Sequence, residues 1–254
     1  MNEFSIVHLV WGPLGPEPVK NFVASLRDRP AGREYELVIL LNGVADGATR
    51  DAIVAELEGV AYRLLETPEP SIDLAAYRWA LDRIDAEKVI FLNSYSRFEA
   101  AGWLDLLDRA LDMDGVGMVG ATGTWESIGD KPFNWRMPWT KFFPGFPNAH
   151  LRTTAFLLEA ELARSIRWRP PKGKIAALGL ESGRRSISNQ VKSHGLELRV
   201  VGRDGRSFAE ADWKDSGTYR SGRQQNLLIA DNRTDDFLAA TPAEREALRR
   251  LAWG

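Results

Sequence analysis

The 254-residue chain contains no cysteine. That excludes a disulfide framework and any thiolate-ligated metal centre. Its three histidines, His8, His150 and His194, are scattered, with no His-x-x-x-His spacing, so no zinc site is expected. No apolar run approaches the ~20 residues a membrane-spanning helix needs. There is no Walker loop and no Gly-x-Gly-x-x-Gly, which leaves kinase-like and dehydrogenase readings without support. An excess of positive charge is also missing. The chain has 33 Lys and Arg against 35 Asp and Glu, a net charge of -2. Nucleic acid therefore finds no bulk charge to bind. Met1-Asn2-Glu3 carries no basic region and leads straight into an apolar run, which is not the pattern of a signal peptide. These absences lead us to expect a cytoplasmic protein without a transmembrane segment.

What is present suffices for a full core. With 44% hydrophobic residues, the chain can build one α/β domain or one domain with a small appendage. Its centre is Val89-Ile90-Phe91-Leu92-Asn93-Ser94-Tyr95-Ser96-Arg97. Four apolar residues read as a buried strand and end abruptly in polar ones. In an open α/β sheet, ligands sit beyond the carboxyl ends of the strands, so Asn93 to Arg97 is the first place to look for chemistry. The plainer alternative is a loop whose Asn93 or Ser96 caps the next helix.

Around this centre, strands and helices alternate. Phe4–Val10, Leu37–Leu41, Val60–Leu65 and Val116–Ala121 read as strands, the third nearer an edge. Helices are expected over Pro18–Leu26, Ala48–Leu57, Ile72–Ile84 with Ser71 as cap, and Glu99–Leu111. Crossovers of this kind argue for right-handed βαβ units on a mostly parallel, nucleotide-binding sheet. The rhythm stops between Thr122 and His150, where seven aromatics from Trp125 to Phe146 lie among four prolines. So long an irregular stretch in a compact domain points to function, and the aromatics argue against disorder. They either stack on sugar faces or pack a secondary core.

Thr153–Leu158 returns to a strand. Glu181–His194 reads as one helix closed by Gly195, followed by the strand Leu196–Val201. Thr241-Pro242-Ala243-Glu244 is a capping box that opens a closing helix. We expect one domain over residues 1–202 and a C-terminal loop and helix over 203–254 packed on it.

This order of parts resembles the inverting glycosyltransferases of the GT-A fold, particularly the family-2-like bacterial enzymes of polysaccharide biosynthesis. The strand Val89–Leu92 sits where that family's Asp-x-Asp strand belongs, and Trp103-Leu104 follows at the expected distance. Thr154-Ala155-Phe156, Glu181, Gly195 and Leu196–Val201 continue the order. The resemblance spans roughly residues 4 to 202. It implies a GT-A-type, Rossmann-like sheet flanked by helices, a nucleotide-sugar donor and a glycan or other hydroxyl acceptor. The chain departs from the pattern at the metal motif, which is here Asn93-Ser94-Tyr95, and at Asn42, where an aspartate would help hold the nucleotide. Glu181-Ser182 stands for the usual acidic pair. No cofactor is expected; a divalent metal is conceivable but the motif does not support it.

Sugar transfer needs a neutralised leaving diphosphate, a base for the acceptor hydroxyl, and both substrates held in line. Asn93 and Tyr95 would face the donor but replace carboxylates poorly as ligands of a hard cation. Arginine matches phosphate with its planar fork, and the candidates are Arg97, Arg152, Arg184, Arg185, Arg220 and Arg223. Glu181 is the candidate base, carried over from the resemblance and placed after the apolar run Ala176–Leu180. Its plainer reading is a first-turn glutamate favoured by the helix dipole, and Asp212 and Asp215 are rivals. Trp125, Glu126 and Asp212 are candidates for the acceptor or sugar. The competing outcome is a GT-A-like scaffold that lost its metal motif and holds a nucleotide or glycan without turnover.

Overall fold

The computed structural model describes residues 2–129, 139–168 and 174–254. Strands β1 (Asn2–Trp11), β2 (Glu36–Asn42), β3 (Arg63–Glu66) and β4 (Ala86–Leu92) alternate with helices α1 (Glu17–Asp28), α2 (Gly47–Ala55) and α3 (Asp73–Leu81). The short strand β5 (Arg97–Phe98) precedes α4 (Trp103–Leu111) and β6 (Val116–Gly120). Then come β7 (Gly123–Thr124), α5 (Trp139–Phe142), β8 (His150–Leu151), β9 (Ala155–Glu159), α6 (Ala160–Ser165), α7 (Lys174–Ser182) and α8 (Ile187–Ser193). The chain closes with β10 (Glu197–Val201), β11 (Ser207–Phe208), β12 (Ile229–Ala230), α9 (Asn232–Ala239) and α10 (Pro242–Trp253).

Among the described residues, one eight-stranded sheet runs in the order β11-β10-β6-β9-β4-β1-β2-β3. β4, β1, β2 and β3 pair in parallel, as do β6 and β10. This is the mostly parallel α/β sheet expected, with Val60–Leu65 reduced to an edge strand. The exceptions are β11 and β9, and β9 is inserted antiparallel between β4 and β6.

Both faces of the sheet are covered, which is why its strands read as continuous apolar runs. Alternate residues of β1 divide between two cores. Phe4, Ile6 and Val10 meet Val19, Phe22 and Val23 of α1 and Trp103, Leu104 and Leu107 of α4. Val7 and Leu9 meet Leu74, Tyr77 and Leu81 of α3, with Ala160, Ala163, Val191 and Trp253 in the same cluster.

Three local expectations are corrected. The helix expected over Glu99–Leu111 starts only at Trp103, because Arg97–Phe98 pairs antiparallel with Ile229–Ala230 and Gly102 turns the chain at φ +71°. Ser71 does not cap α3; the N-cap is Ile72, without a side-chain bond. The helix expected to open at Glu181 and run to His194 is only α8 (Ile187–Ser193), and Glu181 belongs to the separate helix α7 (Lys174–Ser182) before it. Gly183 lets the chain turn where any Cβ would lie 2.5 Å from the Gly179 carbonyl oxygen, and Ser186 starts α8 afresh by accepting from Asn189 N at 3.2 Å. Glu181 therefore ends a helix instead of opening one. The helix dipole disfavours a carboxylate there, so the plainer reading of Glu181 loses its basis.

Candidate active site

A cleft of about 620 Å³ opens beyond the carboxyl ends of β1 and β4. Trp11 ends β1, and Asn93, Ser94 and Tyr95 follow β4. Asp73 and Leu74 come from the start of α3, Arg152 to Thr154 from the approach to β9, Ala177 and Glu181 from α7, and Asn232 and Arg233 from the start of α9. Six segments thus converge on the crevice that α/β sheets use for ligands.

The two strand ends are tied together. Trp11 N donates to Ser94 Oγ at 3.0 Å, and Asn93 N donates to Thr154 O at 2.9 Å. Asn93 Oδ1 accepts from Tyr95 N at 3.1 Å and from Ser96 Oγ at 2.9 Å, closing a tight Asx-type turn. Asn42 is fully buried beneath the cleft. It donates to Ser71 O at 2.7 Å and accepts from Ser71 N at 2.9 Å and Thr67 Oγ1 at 3.0 Å. It fixes the loop that carries Ser71 into the cleft wall and is not itself in the lining.

Arg152 is 7% exposed. Its guanidinium meets Asp231 Oδ2 at 2.9 Å and lies over the Tyr219 ring at 4.3 Å. Burial alone would lower its pKa, but the charge and hydrogen bond of Asp231, with Tyr219 and Glu181, together outweigh burial and raise it. Burial pushes the Asp231 carboxyl up, and Arg152 with the Thr234 amide outweighs this and holds it below the usual range. The same Asp231 caps α9, accepting from Thr234 N at 2.9 Å while Asp231 N donates to Thr234 Oγ1 at 2.8 Å. One carboxylate therefore fixes both the buried arginine and the start of the helix that brings Arg233.

Two carboxylates line the cleft. Glu181 Oε1 accepts from Thr153 Oγ1 at 3.2 Å. The Asp73 carboxyl is raised above its ordinary value, first by its enclosure and then by the negative charge of Glu181. Sequence reading missed Asp73 because a first-turn acid is common on any helix. It missed Arg233 for a related reason: an exposed arginine on a polar helix carries no mark until the fold brings it to the cleft.

The remaining candidates are not in this lining. Arg97 pairs with Asp235 Oδ1 at 2.7 Å on α9. Arg220 adopts φ +44° and pairs with Glu126 Oε2 at 3.2 Å. Arg223, Arg184 and Arg185 are exposed in turns, and Asp212 and Asp215 are exposed in the 3-10 helix over residues 210–215. Trp125 lines a second pocket. Of the seven aromatics in the irregular stretch, Phe133 and Trp135 lie outside the described residues.

The fold family implies a divalent metal at the position of Asn93-Ser94-Tyr95. No carboxylate stands there, and the oxygens of Asn93 and Ser94 already accept from protein donors. Among the described residues no three His, Cys, Asp or Glu side chains gather as a metal site. The donor set does not fit a hard cation.

The fold is GT-A-like. The chain is similar to a mannosyltransferase from Pyrobaculum calidifontis, solved with GDP-Man and Mn2+, at TM-score 0.53 and 15% identity, over 88% of this chain and 60% of that one. It is also similar to 4-diphosphocytidyl-2C-methyl-D-erythritol synthase from Anaerococcus prevotii, at TM-score 0.50 and 14% identity, over 79% of this chain and 88% of that one. The chain thus spans less than two thirds of the mannosyltransferase. No protein-family model matches the sequence, and no curated protein matches it.

Among the described residues no helix is long and apolar enough to cross a membrane.

Proposed function

We propose that the chain is a glycosyltransferase, moving a sugar from a nucleotide-sugar donor to a glycan or other hydroxyl acceptor with little or no dependence on a divalent metal. The observation that carries this is a buried, ion-paired arginine beside two carboxylates in the strand-end cleft. Arg152 and Arg233 meet the donor diphosphate, replacing the metal as the positive charge. Arg97, engaged with Asp235, leaves that role. Glu181 takes the acceptor proton as the acceptor oxygen forms its bond to the anomeric carbon. The bond from that carbon to the phosphate oxygen breaks, and the nucleoside diphosphate leaves with the electron pair. A single displacement of this kind inverts the anomeric configuration. Asp73, its carboxyl raised by enclosure and then by Glu181, is suited to hold a sugar hydroxyl. The GT-A-like fold and the mannosyltransferase solved with GDP-Man support a nucleotide-sugar donor.

The missing carboxylates at Asn93-Ser94-Tyr95 favour a second reading, a scaffold that binds nucleotide or glycan without turnover. A thermal-shift screen against nucleotides and nucleotide-sugars, followed by donor turnover in excess chelator, separates the two. The transferase reading expects stabilisation by a nucleoside diphosphate and turnover that persists in chelator. Binding without turnover establishes the scaffold. Turnover lost in chelator and restored by manganese overturns the arginine clamp.

A further inference from the structure

The segment that supplies Arg152 to Thr154 to the cleft supplies Asn148 and Ala149 to a second pocket of about 440 Å³. We propose that this second pocket binds a neutral saccharide, as a subsite for a glycan chain whose end reaches the cleft. Its apolar wall is the Trp125 indole with Pro144 and Pro147. The indole is held in place: Nε1 donates to Glu210 O at 3.0 Å, and its ring meets Trp253 edge-on at 5.4 Å. A fixed, half-buried aromatic beside proline rings suits the C–H face of a pyranose.

The polar groups narrow the ligand further. Asn148 spends its amide nitrogen on Ser182 O at 2.7 Å, and Asn189 spends its own on Gly183 O at 3.0 Å. Because both partners are carbonyls, each amide is oriented nitrogen-first, and among the described residues neither Oδ1 has a donor. Glu210 adds a carboxylate, but Lys192 pairs with it at 3.2 Å, so the lining is electrically balanced. An aromatic face, spare acceptors and no net charge call for a ligand rich in hydroxyl donors and without charge of its own. The cleft instead gathers four charged side chains, Arg152, Arg233, Asp73 and Glu181.

The two sites are close along the chain. Asn148 and Arg152 are separated by at most about 14 Å of extended backbone. Asn148 also holds Ser182, the neighbour of Glu181. The link to transfer rests on the proposed reaction; saccharide binding does not.

The test is titration of tryptophan fluorescence with cellohexaose, maltohexaose, mannohexaose and chitohexaose, with no nucleotide present. At least one should bind with a Kd of about 10 mM or tighter. Ala211→Arg adds a long side chain at the exposed rim, and Trp125→Ala removes the platform. Each should weaken that binding about 10-fold or more. In Ala211→Arg, the thermal shift produced by a nucleoside diphosphate should stay as in the unaltered protein, which shows that the fold and cleft are intact. No binding by any of the four, or unchanged binding in Ala211→Arg, overturns the proposal. A preference for an anionic sugar at this pocket overturns its neutral character. Binding without transfer would leave the pocket standing and remove only the reaction.

Discussion

Three residues show how burial changes the meaning of a charge. His8 has no exposed surface, stacks on Phe22 at 3.7 Å and, among the described residues, has no hydrogen-bond partner on either ring nitrogen. Burial depresses its pKa from 6.5 to about 3. Its folded pKa lies below the unfolded one, so the unfolded chain binds more protons between these values. Stability is therefore unaffected by His8 above pH 6.5 and is lost as pH falls toward 3. Between pH 7 and pH 5 this residue alone should cost about 2 kcal/mol. His8→Leu should flatten that part of the slope in denaturant unfolding at the two pH values; equal slopes in both proteins would assign the titration elsewhere. Arg152 and Arg233 form the second contrast. Arg152→Ala leaves Asp231 buried and unpaired, so it should cost about 3 kcal/mol of stability as well as donor binding. Arg233 is exposed and pairs with Asp236 at 3.4 Å. Arg233→Ala should weaken donor binding by about 2 kcal/mol, measured by calorimetry, with little change in unfolding.

Elements decide which of these residues meet. Glu181 reaches the cleft from the last turn of α7, which ends before Gly183. If it is the base, Glu181→Gln should lower turnover on the order of 100-fold while donor binding survives. Near-normal turnover would move the role to Asp73, the other carboxylate in the lining. Asp231 joins a helix cap to a buried ion pair. Asp231→Asn keeps a competent cap, so Asp231→Ala should be the less stable by about 1 kcal/mol. The long strands β1, β2, β4, β6 and β9 were legible in the sequence because burial on both faces leaves unbroken apolar runs. The cleft's strand-end residues Asn93 and Tyr95 were legible for the same reason. What the sequence hid depends on distant pairing. The two-residue strands β5 and β12 carry no periodicity, yet their pairing draws Arg97 toward α9. The antiparallel course of β9 is set by its neighbours and not by its own composition. α7 was hidden because the small apolar run Ala176–Leu180 before Glu181 carries little helical pattern of its own.

At the scale of the molecule, the C-terminal residues are part of the site and of the core. Asn232 and Arg233 complete the cleft, Asp231 pairs with Arg152, and Tyr219 lies under Arg152. The closing helix is sewn to the irregular aromatic segment. Trp125 N donates to Ala252 O at 3.0 Å, and Thr124 Oγ1 donates to the same oxygen at 3.3 Å. Trp253 is 3% exposed and donates through Nε1 to Tyr219 O at 3.0 Å, the residue stacked against Arg152. Residues 203–254 should then unfold together with residues 1–202, not as an appendage. Trp253→Ala removes a buried indole and its hydrogen bond and should cost about 3 to 5 kcal/mol. Because Tyr219 loses its support, donor affinity should fall along with stability, although Trp253 is not in the cleft lining. Near-ultraviolet circular dichroism and far-ultraviolet ellipticity, followed together through denaturant, should report one coincident transition in both proteins. An early transition in the variant that releases aromatic signal while the sheet persists would make the C-terminal segment a separate unit. The cleft would then be assembled only when that unit docks.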